Sequence, residues 1–533
     1  MGTINGKTPV LMDPRTNQSY HTDEEKAEVI ARTFEAVHNR AYESISPLED
    51  QLTPPAKETT TAQRIDQQMP ISPALVNNLI KKLPKRKAPG LDKITPEKLR
   101  NLPRKSIVQI YYILKACIHQ AYFPEVWKIA KVHPVPKPGK PKNNINSYRP
   151  ISLLSTLSKI LEKIIHIQLI RYLKNNNIII QQQFGFREGH SSVQQLLRVT
   201  EYATMEANKN RVTQLILLDI EKAFDSVWHK ALIYKLQNIG TPSHIIKIIQ
   251  SYLSNRKMMV TVNGTNSDIK AVKAGVPQGS ILGPTLYNIY TNDIPTHSNT
   301  QLAVYADDTA IYASSWHPSQ ATKYIQRHIE QLTLYAKNWK LKINPSKTQA
   351  ITFSRKHKEI TDQVIIDGQK INWTPKVKYL GLTLDRRMSW APAIIERARL
   401  GHPALRKLYP LISNKSSLNK ELKLLLYKTC ARPIILYGHQ VWAAAAKTYI
   451  EVTQKTQNKF LRIILNKPRD TPIEELHKLA NIQKIREYIN ESVNRTYNNA
   501  HDNPLISNTG NYEVRDIPLK IRIKLPKHAT EKS

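Results

Sequence analysis

The sequence predicts an α+β protein whose mixed middle is flanked by mostly helical ends. Strand-length aliphatic runs bounded by Gly, Pro and Asn turn signals cluster between residues 129 and 384. Segments with helical spacing interleave with them, and beyond Ser389 the pattern turns helical and stays basic. The chain has 533 residues, more than one ordinary core holds, so about two to four domains are expected.

In chain order, residues 23–39 read as an amphipathic helix with Thr22 as N-cap, followed by a Pro/Thr-rich linker over 46–61. The cluster Lys81-Lys82-Leu83-Pro84-Lys85-Arg86-Lys87 suits an import signal, a phosphate-binding surface or a plain solvated face. Ala88-Pro89-Gly90-Leu91-Asp92 follows at once and favours a folded loop near nucleic acid. Residues 129–150 form a basic hairpin turned at Pro138-Gly139, and 155–172 a strong helix. Residues 214–220 are a buried strand. Residues 228–239 are a helix stopped by Gly240, and a further helix opens at Pro242 with Thr241 as its cap. Asn263-Gly264 marks a hairpin between 258–262 and 269–273. Strands 301–305 and 309–313 pair with Asp307-Asp308 at their turn; 349–353 and 376–384 are further strands.

Lys+Arg exceed Asp+Glu by 79 − 42 = 37. A field of that sign attracts polyanions, nucleic acid first among them. Two cysteines, Cys117 and Cys430, exclude a disulfide framework and a zinc site built on several thiols; both are expected as buried thiols. No apolar run approaches the ~18 residues of a membrane span, and residues 1–20 lack a signal-peptide core. The expectation is a soluble intracellular protein, in nucleus or cytoplasm, with no membrane partner; the oligomeric state is left open.

Asp219 ends the apolar run Leu215-Ile216-Leu217-Leu218, and Asp307 and Asp308 sit at the tip of another apolar hairpin. An Asp pair at a turn is equally explained by the turn preference of Asp. Three carboxylates at neighbouring strand ends would repel, and protonation or cations must relieve them. Hard divalent ions with oxygen ligands do this, Mg²⁺ being natural beside phosphate, and two of them ~3.5–4 Å apart can serve both oxygens of a displacement.

The flanking residues resemble a known family. Leu218-Asp219-Ile220-Glu221-Lys222-Ala223-Phe224-Asp225-Ser226-Val227 resembles the first catalytic motif of reverse transcriptases, and Tyr305-Ala306-Asp307-Asp308 their metal-binding hairpin. Gly275-Val276-Pro277-Gln278-Gly279-Ser280-Ile281-Leu282-Gly283-Pro284 resembles the motif beneath the incoming nucleotide. Ser147-Tyr148-Arg149-Pro150-Ile151-Ser152-Leu153-Leu154 and Gln183-Phe184-Gly185-Phe186-Arg187 are similar to two fingers-region motifs. Leu341-Lys342-Ile343-Asn344-Pro345-Ser346-Lys347-Thr348 and Tyr379-Leu380-Gly381-Leu382 are similar to later palm and primer-grip motifs. Seven motifs in family order over about 85–385 make a specific signal, closest to non-LTR retrotransposons of the jockey type. Pro433-Ile434-Ile435-Leu436-Tyr437-Gly438 and Ile473-Glu474-Glu475-Leu476-His477 resemble that group's C-terminal region.

The resemblance implies a right hand of fingers, palm and thumb with an antiparallel palm sheet. Residues 1–70 would be a pre-polymerase extension and linker, 71–385 fingers and palm, 386–480 a helical thumb and 481–533 a basic tail. It implies an RNA-directed DNA polymerase that extends a DNA primer on an RNA template with dNTPs. Asp219, Asp307 and Asp308 would be catalytic; Asp219 and Asp307 would ligate two Mg²⁺ ions, Mn²⁺ being a substitute, with Asp308 a nearby, less strictly placed ligand and the Ile220 carbonyl completing one shell. Phe224 falls at the sugar-gate position, where a ring would exclude a ribose 2′-hydroxyl. Lys137, Arg149 and Arg187 are candidates for the triphosphate, Gln278 and Gly279 for close approach of template and nucleotide, and Lys347 for protonating pyrophosphate. The alternatives are a core Phe for Phe224, a general basic surface for Lys137 and Arg149, a structural ion pair for Arg187, a tight turn for Gln278 and Gly279 and a solvated strand-end Lys for Lys347. No nuclease motif is visible ahead of the fingers, so a chain lacking the N-terminal endonuclease is expected. A catalytically inactive RNA-binding remnant is the competing function.

Overall fold

A computed structural model describes residues 8–43, 45–52, 70–354 and 362–498. The chain divides into two compact units, the first built from Met1–Ile180, Ile220–Ile294 and Leu332–Ile343, the second from Gln181–Asp219, Pro295–Gln331 and Asn344–Ser533.

In the first unit, strand Ile129–Pro136 pairs antiparallel with Tyr148–Leu153 and parallel with Arg256–Val262. Arg256–Val262 continues through the Asn263-Gly264 turn into short antiparallel partners, Thr265–Asn266 and Lys270–Val272. Helix Asp23–Glu43 lies on this sheet. Its start is a capping box: Thr22 Oγ1 accepts from the Glu25 amide (3.2 Å), and the Glu25 carboxylate accepts from the His21 and Thr22 amides (2.9 and 3.0 Å). Asp23, Glu24 and Glu25 place negative charge at the positive end of its dipole. Ala27, Ile30, Ala31 and Phe34 then share one core with Val132, Tyr148, Met258, Val260 and Val262.

Helix Thr156–Asn175 starts at Ser155, whose hydroxyl accepts from the Leu157 amide (3.2 Å) and donates to Asp92 (2.6 Å). The loop after the Lys81–Lys87 cluster is therefore folded onto this helix. Glu162, on the same helix, is fully buried. Its carboxylate accepts from the Ile281 and Leu282 amides (2.7 and 3.4 Å) and from Ser158 (3.1 Å). Burial pushes this carboxyl up; the Ile281 amide and Arg256 pull it back. Thr241 is not the cap of helix Ser243–Leu253; Pro242 takes that position, and the Thr241 hydroxyl is buried without a partner.

The second unit is built on a five-stranded sheet in the order Trp373–Thr374, Gln349–Phe353, Val212–Leu218, Asp308–Ser315, Gln301–Tyr305. All its pairings are antiparallel except the parallel edge pair of Trp373–Thr374 with Gln349–Phe353. The expected strand over 376–384 is instead a tight hairpin, Lys376–Tyr379 and Leu382–Asp385, because Leu380 and Gly381 both take positive φ (43° and 79°). Helices follow as expected, among them Ala391–Ile412 and Lys447–Leu465. Leu215, Tyr312, Ile351 and Phe353 from the sheet and Tyr427, Trp442 and Phe460 from the helices belong to one core. Helix Ile485–Asn498 occupies the start of the expected tail; residues 499–533, like 53–61 of the expected linker, lie outside the described residues. Cys117 is buried, but Cys430 is exposed on a π-helical turn, Tyr427–Ala431, so only one thiol is in the core. Among the described residues, no helix is long and apolar enough to cross a membrane.

Glu162→Ala strands the Ile281 and Leu282 amides in the interior. It is expected to cost roughly 3 kcal/mol or more, since buried bonds to a charged group are worth about 1.5–3 kcal/mol each. Glu162→Gln keeps an acceptor and should lose less. The midpoints of urea unfolding measure both; equal midpoints for the two variants contradict this assignment.

Candidate active site

Strand Val212–Leu218 lies between two neighbours and is buried along nearly its whole length. Asp219 is the first residue beyond it, and its carbonyl accepts from the Asn344 amide (2.8 Å). Thr309 pairs with Leu218. One step further, the same antiparallel register places Asp308 opposite Asp219. Asp308 also pairs with Tyr305, so Ala306 and Asp307 form the two-residue turn. The expected turn Asp307-Asp308 is thus shifted by one residue, with Asp307 at the tip and Asp308 opening the strand. All three carboxylates are brought to one end of one sheet.

That turn needs support. Ala306 is buried and takes a left-handed backbone (φ 59°), costly for a residue with a Cβ. The support comes from the segment 182–185, which runs beside the outer strand: the Phe184 amide donates to the Val304 carbonyl (2.9 Å), and the Val304 amide to the Gln182 carbonyl (3.1 Å). Gln183, buried, accepts at Oε1 from the Gly185 amide (2.7 Å) and the Ala306 amide (3.0 Å). A Cβ on Gly185 would lie 2.2 Å from the Ala306 nitrogen, so only Gly allows this approach. Gln183 and Gly185 are site residues that the sequence reading quoted in a motif without giving them a role. A Gly between two Phe residues was the available signal for a close backbone approach. Arg187, two residues on, is half-buried, and loss of water lowers its guanidinium below the usual range.

The three carboxylates share one sheet end. Loss of water at the crowded sheet end, then Asp307 and Asp219, push Asp308 up to about 6. Lys347 supplies a counter-charge, its ammonium lying 3.2 Å from Asp219 Oδ2. Both partners are well exposed, so the pair is worth no more than about 1 kcal/mol. The donor set, carboxylate oxygen alone, suits a hard divalent cation rather than zinc or copper. Among the described residues, no three His, Cys, Asp or Glu side chains close on one point as a metal centre would hold them. The fit is therefore one of chemistry and position, with Asp219 turned toward Lys347.

The first unit brings together a second group. The short turn Ala223–Ser226 holds Phe224 and Asp225. The Phe224 carbonyl accepts from the Val276 amide, and the Val227 carbonyl from the Gly275 amide (both 2.8 Å). The Phe224 ring stacks on Tyr287 at 4.7 Å and 26°. Asp225 is buried and accepts from Gln278 Nε2 (2.9 Å). Burial pushes its carboxyl up, while His38, Gln278, Lys222 and Lys137 pull it down. The Gln278 carbonyl accepts from the Ser152 amide (2.9 Å). Gly279 follows at φ 112°, where a Cβ would meet the Ser152 carbonyl at 2.9 Å. Arg149 is exposed on the same strand as Ser152, opposite Val135. The Lys137 ammonium donates to the Asn146 carbonyl (2.9 Å). Ile220 bridges to Ile343. Phe224, Gln278, Gly279, Arg149 and Lys137 are thus gathered in this unit; Arg187 and Lys347 belong to the other. Asp225 and His38 are further members, and a lone His on an apolar helix face gave no sign of it.

Gly185→Ala is expected to break the approach to Ala306 and free the hairpin turn. Amide hydrogen exchange at Ala306 and Asp307 should accelerate by about tenfold or more, with a lower urea midpoint. Unchanged exchange in a folded variant contradicts the clamp.

Comparison with known proteins bears on this arrangement. Residues 135–384 match the family model described as reverse transcriptase (RNA-dependent DNA polymerase). The chain is 35% identical over 439 residues to a probable RNA-directed DNA polymerase from transposon BS of Drosophila melanogaster, covering 80% of this chain and 48% of that protein. It is 33% identical over 527 residues to the RNA-directed DNA polymerase from mobile element jockey of the same fly, covering 94% and 56%. The jockey protein of Drosophila funebris is 31% identical over 465 residues, covering 85% and 50%. The chain spans about half the length of these relatives. Residues 135–384 therefore form a reverse transcriptase domain, in a chain homologous to the RNA-directed DNA polymerases of jockey and related non-LTR retrotransposons.

Proposed function

We propose that the chain is an active RNA-directed DNA polymerase that extends a DNA primer on an RNA template using dNTPs. One observation carries this reading: the register that pairs Thr309 with Leu218, so that Asp308 and Asp219 adjoin it at one sheet end, with Asp307 at the neighbouring tip. Asp219, Asp307 and Asp308 would hold Mg²⁺, two ions in this reading, which supply charge neutralisation for the attacking primer oxygen and the leaving pyrophosphate.

The remaining work falls to the chain's own side chains. Phe224, backed by Tyr287, presents a ring that a ribose 2′-hydroxyl would strike and a deoxyribose would not. Arg149, Lys137 and Arg187 counter the triphosphate charge. Gln278 and Gly279 offer backbone without a side-chain barrier to template and nucleotide. Lys347, now on Asp219, is the candidate proton donor to pyrophosphate. Residues 71–385 would act as fingers and palm and 386–480 as thumb, inside the cell where RNA and dNTPs are available.

Primer extension on a primed RNA template with dNTPs and Mg²⁺ tests the reading. Asp307→Asn is expected to lower extension by roughly 10²–10³-fold or more while RNA binding changes little. Chelation by EDTA should stop the reaction and added Mg²⁺ restore it. No extension by the unaltered chain under these conditions would leave the RNA-binding remnant as the better reading. Phe224→Ala should raise ribonucleotide incorporation; an unchanged ratio removes the gate assignment.

A further inference from the structure

We propose that helix Asp23–Glu43 is part of the nucleotide-selecting apparatus, with His38 as the positioning residue that fixes the Phe224–Asp225 turn. This rests on Phe224 acting as the sugar gate. The helix lies ahead of the matched residues 135–384, and nothing in the family match assigns it a role.

His38 is buried, and its Nδ1 lies 3.2 Å from the Asp225 carbonyl oxygen. Because a carbonyl only accepts, Nδ1 must carry the proton and donate. The turn it reaches is short, begins at Lys222 with φ 50°, and closes on itself through the Asp225 and Ser226 amides, which donate to the Lys222 carbonyl (2.9 and 3.0 Å). The Phe224 carbonyl is held by Val276, the Asp225 carboxylate by Gln278 and the Asp225 carbonyl by His38. The first two holds come from one loop, residues 276–278. The third comes from an independent direction and opposes any sliding of the turn with that loop.

The helix can hold a position because it is itself pinned. Glu28 pairs with Lys270 (2.6 Å) and accepts from the Asp268 amide (3.3 Å). Asn263 Nδ2 donates to Asp23 (2.9 Å). Phe34, one turn before His38, is in the core shared with the sheet. A gate discriminates by whether a ring and a 2′-oxygen collide, and that depends on displacements well below 1 Å. Losing the His38 bond lets the turn relax by such amounts without unfolding the unit.

The test uses the full chain and compares kcat/KM for a dNTP with that for the matching rNTP. His38→Leu is expected to lower this ratio about tenfold, with a higher KM for dNTP and little change in RNA binding. His38→Asn, whose amide nitrogen falls near the place of Nδ1, is expected to recover most of the ratio. A packing role alone would make Leu the better replacement and leave the ratio untouched. If His38→Leu fails to fold, His38→Gln takes its place, since its longer side chain carries the donor away from Asp225. Phe224→Ala is run beside them. If it changes the ratio and the His38 variants do not, this inference fails alone. If it leaves the ratio unchanged, the gate reading fails and takes this inference with it. Equal ratios for His38→Leu and His38→Asn also overturn it.

Discussion

Strand Val212–Leu218 is paired on both sides and buried, so its end is the first place where Asp219 can meet water. Much of the second unit follows from that placement. The antiparallel neighbour must bring Asp308 opposite Asp219 once Thr309 is opposite Leu218. Asp219 and Asp308 thus lie at the same end of neighbouring strands, with Asp307 in the turn to the edge strand Gln301–Tyr305. Loss of water first, and the neighbouring Asp307 and Asp219 after it, push the Asp308 carboxyl up. Lys347 supplies a counter-charge at Asp219.

The geometry that collects the charges also has to be stiff, because repulsion would otherwise open the hairpin. Backbone from the segment 182–185 supplies that stiffness by doubling the edge strand as far as Val304 and reaching the turn amide through Gln183. The absence of a side chain at Gly185 is what lets the two backbones close. The first unit solves a similar problem by different means. There an aromatic stack, a buried carboxylate and a carbonyl-bound His hold a short turn.

Local signals in the sequence served well where the chain makes its own decisions. The Thr22 cap, the Asn263-Gly264 turn, the helix after Ser155 and the apolar strand before Asp219 are decided by a few neighbouring residues. The three aspartates were readable because strand ends and turns are local too. What escaped was set by partners far along the chain. Gln183 acts on Ala306, Glu162 on Ile281, and His38 on Asp225, across separations that no periodicity encodes. The 376–384 segment reads as one strand because apolar residues run through it, but their alternation changes phase at Leu380, from Val377 and Tyr379 to Leu382 and Leu384, where the backbone reverses. Cys430 was misplaced because helical spacing does not anticipate a π-helical turn.

The boundary of the catalytic domain is a physical question as much as one of sequence similarity. The family match begins at residue 135, in the middle of strand Ile129–Pro136. That strand's buried face includes Ala130 and Val132, packed in one core with Ile30, Ala31 and Phe34 of helix Asp23–Glu43. Burying Ile and Phe side chains is worth about 1.5–3 kcal/mol each, and removing the helix would expose both sides of the contact. The sheet that carries Arg149 and receives Gln278 therefore depends on residues more than 90 positions upstream of the match. A fragment cut at the similarity boundary would keep the motifs and lose half of the core beneath them. The core of the first unit's sheet, defined by what is buried together, includes the helix that the Thr22 cap begins.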